Sequence, residues 1–158
     1  MDRKRSPVRG SVFDFLLVME ATLCLFAARL VLRLVPFRRL SPYLGKHMEE
    51  SAEDAMPRSR VYAYRVARGI HYTYPRLPWH STCLVQAIAA MAMLKRRGQE
   101  STLYVGVGRE TNEAFGAHAW LRSGDLVVTG GSEKDHFKVL SYYMQPGAGS
   151  NTQELMAD

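Results

Sequence analysis

The sequence predicts an α+β protein in which a helical segment precedes a small antiparallel sheet. Residues 11–35 and 83–97 carry apolar side chains at helical spacing and contain no Gly or Pro. After Gly98 the period changes, and segments 101–108, 114–122 and 125–130 have the composition of strands. Segment 136–144 fits either a fourth strand or a short helix. Helices followed by neighbouring strands are typical of the α+β class.

The chain has 158 residues, of which 47% are hydrophobic and 23% charged, which is the balance of a folded protein with one core. We expect an N-terminal helical region at 1–60 that starts with a loose basic tail at 1–10. A core follows at 61–144, beginning with a helix at 61–71 that Gly69 ends. Residues 145–158 have the composition of a disordered tail.

The formal net charge is +6, and much of the basic excess lies in the first forty residues. Such an excess fits a membrane surface, an acidic partner or a solvated helix face. No nucleic-acid-binding signature accompanies it, so nucleic acid is not an expected partner. The basic residues of this segment are Arg3, Lys4, Arg5, Arg9, Arg29, Arg33, Arg38 and Arg39.

The first predicted helix superficially resembles a signal peptide, because a basic start precedes an apolar run. Asp14 and Glu20 interrupt that run, and burying a charge in a membrane span costs roughly 2.5–3.5 kcal/mol. We therefore expect a cytosolic amphipathic helix, capped by Ser11 and ended by Pro36, that can touch a membrane surface. Its apolar face comprises Leu16, Met19, Leu23, Phe26, Leu30 and Val31.

The two cysteines, Cys24 and Cys83, are too few for a disulfide framework. They also lack His residues at the spacing of a tetrahedral metal site, so no metal or cofactor is expected. This cysteine usage fits a reducing, cytoplasmic compartment. Cys24 lies within an apolar helical stretch and is interpreted as a small buried hydrophobic residue.

Cys83 occupies the first position of the most regular predicted helix, directly after the capping residues Ser81 and Thr82. The unpaired N–H groups and the positive dipole end of a helix favour a thiolate at this position. The same N–H groups can stabilise an oxyanion. Cys83 is therefore the candidate nucleophile.

His118 lies on the second predicted strand, between Ala117 and Ala119, with Trp120 on the same face by the two-residue strand period. A lone His in a sheet is more often structural. The order of a Cys at a helix start and then a His on a following strand is the arrangement by which a cysteine nucleophile obtains its general base. His118 is therefore the candidate base.

These elements together resemble a known family. Cys83-Leu84, the helix ending at Gly98, the strand around Tyr104–Val107 and the run Ala117–Trp120 are similar to the transglutaminase-like core of the lasso-peptide B maturation proteins. The helix that runs into Val35–Leu40 also resembles that family, and the size matches its stand-alone leader-peptidase half. The resemblance covers about residues 15–140 and implies a papain-like fold with its catalytic core at 61–144.

The resemblance also implies a function and partners. It implies a cytoplasmic cysteine peptidase that removes the leader from a ribosomally made lasso-peptide precursor. A separate leader-recognition protein would hold the leader, and an asparagine-synthetase-like cyclase would close the ring afterwards. Peripheral contact with the inner membrane through the N-terminal helix is compatible with this reading.

The family also has an Asp shortly after the His, and here the sequence departs from it. If Ser123-Gly124 is the hairpin turn, His118 pairs with Thr129, and Asp125 lies about 13 Å along the strand. Asp125 would then be out of reach. The candidates for the third group are Thr129, Glu133, Asp135, a backbone carbonyl or a water; a dyad without a third group is the remaining alternative.

Two rival interpretations stay open. The same acyl-enzyme chemistry would serve an acyltransferase or amidase. Alternatively, the chain is a peptide- or membrane-docking module in which Cys83 and His118 are structural. Among neighbouring residues, His80 is expected to be exposed and Gln86 structural, while Trp79 lines a peptide groove or packs within its loop.

Overall fold

The computed structural model describes residues 12–53, 57–109, 115–132 and 134–148 and confirms the α+β class. The helices are α1 (Val12–Leu34), α2 (Phe37–Leu40), α3 (Pro57–Thr73) and α4 (Cys83–Lys95). The strands are β1 (Lys46–His47), β2 (Ser101–Arg109), β3 (Phe115–Ser123), β4 (Leu126–Thr129) and β5 (Phe137–Gln145). Short 3₁₀ turns lie at Ser41–Tyr43, Tyr74–Arg76 and Lys134–His136.

The five strands form one antiparallel sheet in the order β1-β5-β2-β3-β4. Strands that are consecutive in the sequence are therefore neighbours only from β2 to β4. Segment 136–144, left open by the sequence, contributes the strand β5, which crosses back to pair with the other edge of β2. β1 comes from the predicted helical region at 1–60, and α3 crosses the predicted boundary at residue 60.

The helices α3 and α4 cover one face of the sheet, and α1 packs against these two helices. Leu103, Leu121 and Val128 project from the sheet into the core that these helices complete. The buried alanines of α4, among them Ala87 and Ala90, let the helix approach the sheet closely. The other face of the sheet carries a separate aromatic cluster of Tyr104, Trp120 and Phe137.

The sequence predicted that Gly69 ends α3, but this glycine lies inside the helix. A Cβ at this position would be 3.0 Å from Cγ of Leu17, which belongs to α1. Gly69 is therefore explained by the close packing of the two helices, which outweighs the helix propensity lost by a glycine.

α1 packs on the core through a different face from the one that its large side chains suggested. The buried positions are Ala21, Leu25 and Ala28. All six residues of the predicted apolar face are exposed. The predicted cap Ser11, the basic tail and the part of the predicted C-terminal tail after residue 148 lie outside the described residues. Gln145, which was predicted to begin that disordered tail, is instead the last residue of β5.

The β3–β4 hairpin turns one residue later than predicted. Ser123 pairs with Leu126, so the two turn residues are Gly124 and Asp125, with Gly124 at φ 56°. A register shift follows between Leu121 and Arg122. The predicted pairs of His118 with Thr129 and of Arg122 with Asp125 are therefore wrong: Thr129 pairs with Leu121, and Arg122 pairs with Val127.

Candidate active site

Cys83 is the first residue of α4, as predicted, and its thiol is free and half-buried. Thr82 is the N-cap, because its side-chain oxygen accepts a hydrogen bond from the backbone N–H of Val85 at 3.4 Å. The Cys83 side chain packs beside the main core. Cys83 therefore stands where backbone N–H groups of the first helical turn can donate hydrogen bonds to an oxyanion.

The loop before Cys83 is fixed from two sides. The Gln86 side chain donates to the carbonyl of Ser81 at 3.0 Å, which gives Gln86 the structural role expected for it. Nη1 of Arg29 donates to the carbonyl of His80 at 2.7 Å, while the side chain of His80 is exposed, as predicted.

The ring of Trp79 meets the ring of Phe26 edge-on at 5.9 Å. Sequence reasoning missed the contribution of α1 to this loop. Arg29 lies 51 positions before His80, whose carbonyl it binds. The spacing of apolar residues in a sequence does not predict a contact between a side chain and a backbone group that far away.

The orientation of His118 is set by a backbone group. Its Nε2 lies 2.8 Å from the carbonyl oxygen of Gly130. Because a carbonyl oxygen can only accept a hydrogen bond, Nε2 carries the proton, and in the neutral ring Nδ1 keeps the lone pair. Nδ1 is therefore the nitrogen that is available as a base.

The His118 ring is part of the aromatic face of the sheet. It lies 4.9 Å from the Phe137 ring and 6.0 Å from the Trp120 ring, and the residue is 9% exposed. The predicted shared face of His118 and Trp120 is confirmed. Their neighbours Ala119 and Leu121 point the other way, into the core beneath the helices.

Asp125 and Asp135 form ion pairs away from the His118 ring. Asp125 pairs with Arg60 at 3.3 Å. Asp135 is exposed and pairs with Lys134 at 3.2 Å, and Glu133 lies outside the described residues.

The hydroxyl of Thr129 is buried without a hydrogen-bond partner in the described chain, and Thr129 stands opposite Leu121. Of the groups considered from sequence, the one that contacts the ring is a backbone carbonyl, that of Gly130.

Cys83 and His118 lie at the same end of the helix–sheet unit but are not hydrogen-bonded to each other in the described part of the chain. α4 and β2 run in opposite directions, joined by residues 96–100. Cys83 lies about 18 Å from the end of α4. His118 pairs with Gly106, about 17 Å from the start of β2. The two residues therefore stand at similar heights, but on different faces of the sheet: the His118 ring lies on the aromatic face, and Cys83 packs beside the core on the face that the helices cover.

A cavity of about 360 Å³ opens beside the start of α4. Arg29 and Arg33 contribute positive charge, and the other walls are mainly apolar. Such a lining suits an extended chain that carries apolar and acidic side chains. The remaining lining residues are Leu32, Phe37, Thr82, Leu84 and Val85.

The second cysteine, Cys24, lies within α1 and, like Cys83, is half-buried beside the main core. Burial raises the pKa of the Cys24 thiol, and the negative charge of Glu20 raises that pKa further. Cys24 is therefore suited to packing and not to nucleophilic attack, although it is half-buried and not fully buried as the sequence predicted.

Within the described ranges, no three His, Cys, Asp or Glu side chains cluster so that they could hold a metal ion.

Comparison with protein families identifies the class of this chain. Residues 31–142 match the transglutaminase-like superfamily. This match spans more than half of the chain, and the chain belongs to that superfamily. Members are typically cysteine-dependent enzymes, either peptidases or transglutaminases. No curated protein and no solved structure matches the chain significantly.

Proposed function

We propose that this protein is a cysteine peptidase that removes the leader from a lasso-peptide precursor through a thioester acyl-enzyme. Membership of the transglutaminase-like superfamily carries the proposal. A free cysteine at a helix start and a histidine whose Nε2–H is held by a carbonyl supply the two groups that this chemistry needs. The lasso-peptide assignment rests on the sequence resemblance described above.

In the proposed mechanism, Nδ1 of His118 takes the proton of the Cys83 thiol, and the thiolate attacks the scissile carbonyl. Backbone N–H groups at the start of α4 stabilise the oxyanion. Protonated His118 gives its proton to the departing amine, which becomes the new N-terminus of the core peptide. Water, activated by the same ring, then attacks the thioester, releases the leader acid and regenerates the thiol.

Because the His118 ring lies on the sheet face opposite the helices, this mechanism requires the ring to move toward the Cys83 thiol when substrate is bound. Catalytic hydrogen bonds are frequently long or unformed in free enzymes and tighten in the substrate complex. The Gly130 carbonyl holds the ring in one tautomer before that adjustment. The cavity beside the start of α4 would hold the substrate on the leader side or the core side of the scissile bond.

An acyltransferase or amidase is the second candidate, because it shares every step up to the acyl-enzyme. The two activities differ in the group that resolves the thioester. Water gives a free leader acid, whereas an amine gives a cross-linked product. The superfamily contains both kinds of enzyme.

The test is a cleavage assay with a precursor peptide, in the presence and absence of a separate leader-recognition protein. Mass spectrometry should detect the leader acid and the core peptide with a free amine. Cys83→Ala should abolish both products, and the matched variant Cys24→Ala should retain them. A cross-linked product would instead support the acyltransferase, and equal activity of Cys83→Ala and wild type would exclude both enzymatic proposals.

A further inference from the structure

The outer face of α1 carries large apolar side chains that nothing in the described chain buries. Eight of them are exposed: Phe15, Leu16, Met19, Leu23, Phe26, Leu30, Val31 and Leu34. The buried face is occupied mainly by smaller residues, such as Ala21 and Ala28. Surface helices normally have the reverse arrangement, with large apolar residues inward. An apolar surface of this extent marks an interaction site.

The exposed side chains form one stripe, because they recur at intervals of three or four positions along the helix. α1 has 23 residues, so it is about 34 Å long. Residues 12–30 precede the segment that matches the superfamily. Most of the stripe therefore belongs to an element outside the matched core.

Arginines border the carboxyl end of this stripe. Arg33, Arg38 and Arg39 are exposed, and none has an ion-pair partner among the described residues. The sequence contains no Asp or Glu from residue 21 to residue 48. An apolar stripe with bordering guanidinium groups is complementary to a membrane surface that contains anionic lipids.

A second copy of the chain is a poorer match for this surface. The acidic residues of α1 are Asp14 and Glu20. Glu20 is already held by Arg97, with paired distances of 2.9 and 2.5 Å. The apolar stripe of a second copy would therefore offer little negative charge to the arginines of the first copy.

A membrane span is also a poorer match, although Asp14–Leu34 is long and apolar enough to cross a bilayer. A spanning helix would have lipid on all sides. α1 instead packs through Ala21 and Leu25 on the core and is tied to the end of α4 by the Glu20–Arg97 pair. The geometry allows lipid on one side of α1 only.

We infer that α1 docks the protein on an anionic membrane surface, with the helix axis parallel to the membrane plane. The apolar stripe enters the boundary between headgroups and acyl chains, and Arg33, Arg38 and Arg39 contact the lipid phosphates. Because Arg29 and Phe26 connect α1 to the loop before Cys83, docking would hold the candidate nucleophile close to the membrane.

The test is co-sedimentation of the full-length protein with vesicles. Wild type should sediment with vesicles of phosphatidylcholine and phosphatidylglycerol, more weakly with phosphatidylcholine alone, and less at high salt. Leu23→Glu combined with Leu30→Glu should abolish sedimentation. Arg38→Glu combined with Arg39→Glu should weaken binding to the anionic vesicles at least about tenfold and leave binding to neutral vesicles unchanged.

Leu140→Glu is the matched control, because Leu140 is 60% exposed on β5 and Leu23 is 63% exposed on α1. This control should sediment like wild type, and thermal melting checks that every variant is folded. The proposal is overturned if wild type stays in the supernatant, or if the double leucine variant sediments normally. It is also overturned if ultracentrifugation finds a dimer that this variant dissociates, since a second copy would then cover the stripe.

Discussion

Nε2 of His118 lies 2.8 Å from the carbonyl oxygen of Gly130, at the end of β4. This contact links the candidate base to a residue with φ 71°, a conformation that favours glycine. The usual carboxylate is thus replaced by a neutral acceptor. A neutral acceptor fixes the tautomer, but it stabilises the imidazolium less than a carboxylate would.

Gly130→Ala should lower kcat for leader cleavage by about 10²-fold, because a small misplacement of a catalytic group has an effect of this size. The new Cβ would lie 2.5 Å from the carbonyl oxygen of Ala119 and 3.1 Å from Nε2 of His118. The Gly130 carbonyl would have to move, and the orientation of the ring would be lost.

Gly124→Ala is the control for backbone strain, because Gly124 also has positive φ, at 56°, but lies in the hairpin turn. In both variants the free energy of unfolding, measured with urea, should fall by about 1 kcal/mol. Equal loss of kcat in the two variants would show that the Gly130 carbonyl has no specific role.

The pairing register of β3 and β4 shows why the third catalytic group could not be identified from the sequence. Moving the turn from Ser123-Gly124 to Gly124-Asp125 slides β4 by two residues, and a two-residue slide leaves every side chain on its original face. The hydrophobic pattern is therefore the same for both registers. The bulge at Leu121 and Arg122 adds a further shift that only the folded backbone determines.

Whether a segment forms a helix or a strand was predictable, because the signals are local in the sequence. α4 combines an N-cap at Thr82 with Gly98 at φ 65° just beyond its end, and both signals are local in the sequence. The orientation of α1 was not predictable, because large apolar residues occupy one side and small ones the other. The core takes the side of α1 that carries Ala21 and Ala28 together with Leu25.

Cys24 should react slowly with iodoacetamide near neutral pH, and Cys83 should react faster. Burial and the charge of Glu20 raise the pKa of Cys24, so less thiolate is present than in an ordinary thiol. Peptide mapping after timed alkylation measures both rates. Glu20→Gln should accelerate the reaction of Cys24 by removing a negative charge. Cys24 reacting as fast as Cys83 would contradict the assigned roles.

Arg29→Ala should lower kcat by about fivefold, which corresponds to one hydrogen bond of about 1 kcal/mol. The guanidinium of Arg29 holds the carbonyl of His80, three residues before Cys83. Arg29→Lys should restore part of the activity. Arg68→Ala removes an exposed arginine from α3 and should leave kcat unchanged in the same assay. If Arg68→Ala lowers kcat as much as Arg29→Ala, the loss of activity comes from the loss of positive charge and not from the hydrogen bond to His80.

Arg97 and Arg96 both pair with Glu20, yet their contributions to stability should differ. Arg97 makes a two-pronged contact from a side chain that is 25% exposed, while Arg96 approaches to 3.4 Å from one that is 69% exposed. Arg97→Gln should therefore lower the free energy of unfolding by about 1.5–3 kcal/mol.

Arg96→Gln should lower the free energy of unfolding by less than about 0.5 kcal/mol, because an exposed ion pair is well screened by water. The hydrogen bond with Glu20 also raises the pKa of Arg97, so the guanidinium remains charged throughout the neutral range. Urea unfolding of the two variants at neutral pH measures the difference. Equal destabilisation would mean that the two-pronged contact does not anchor α1 to the end of α4.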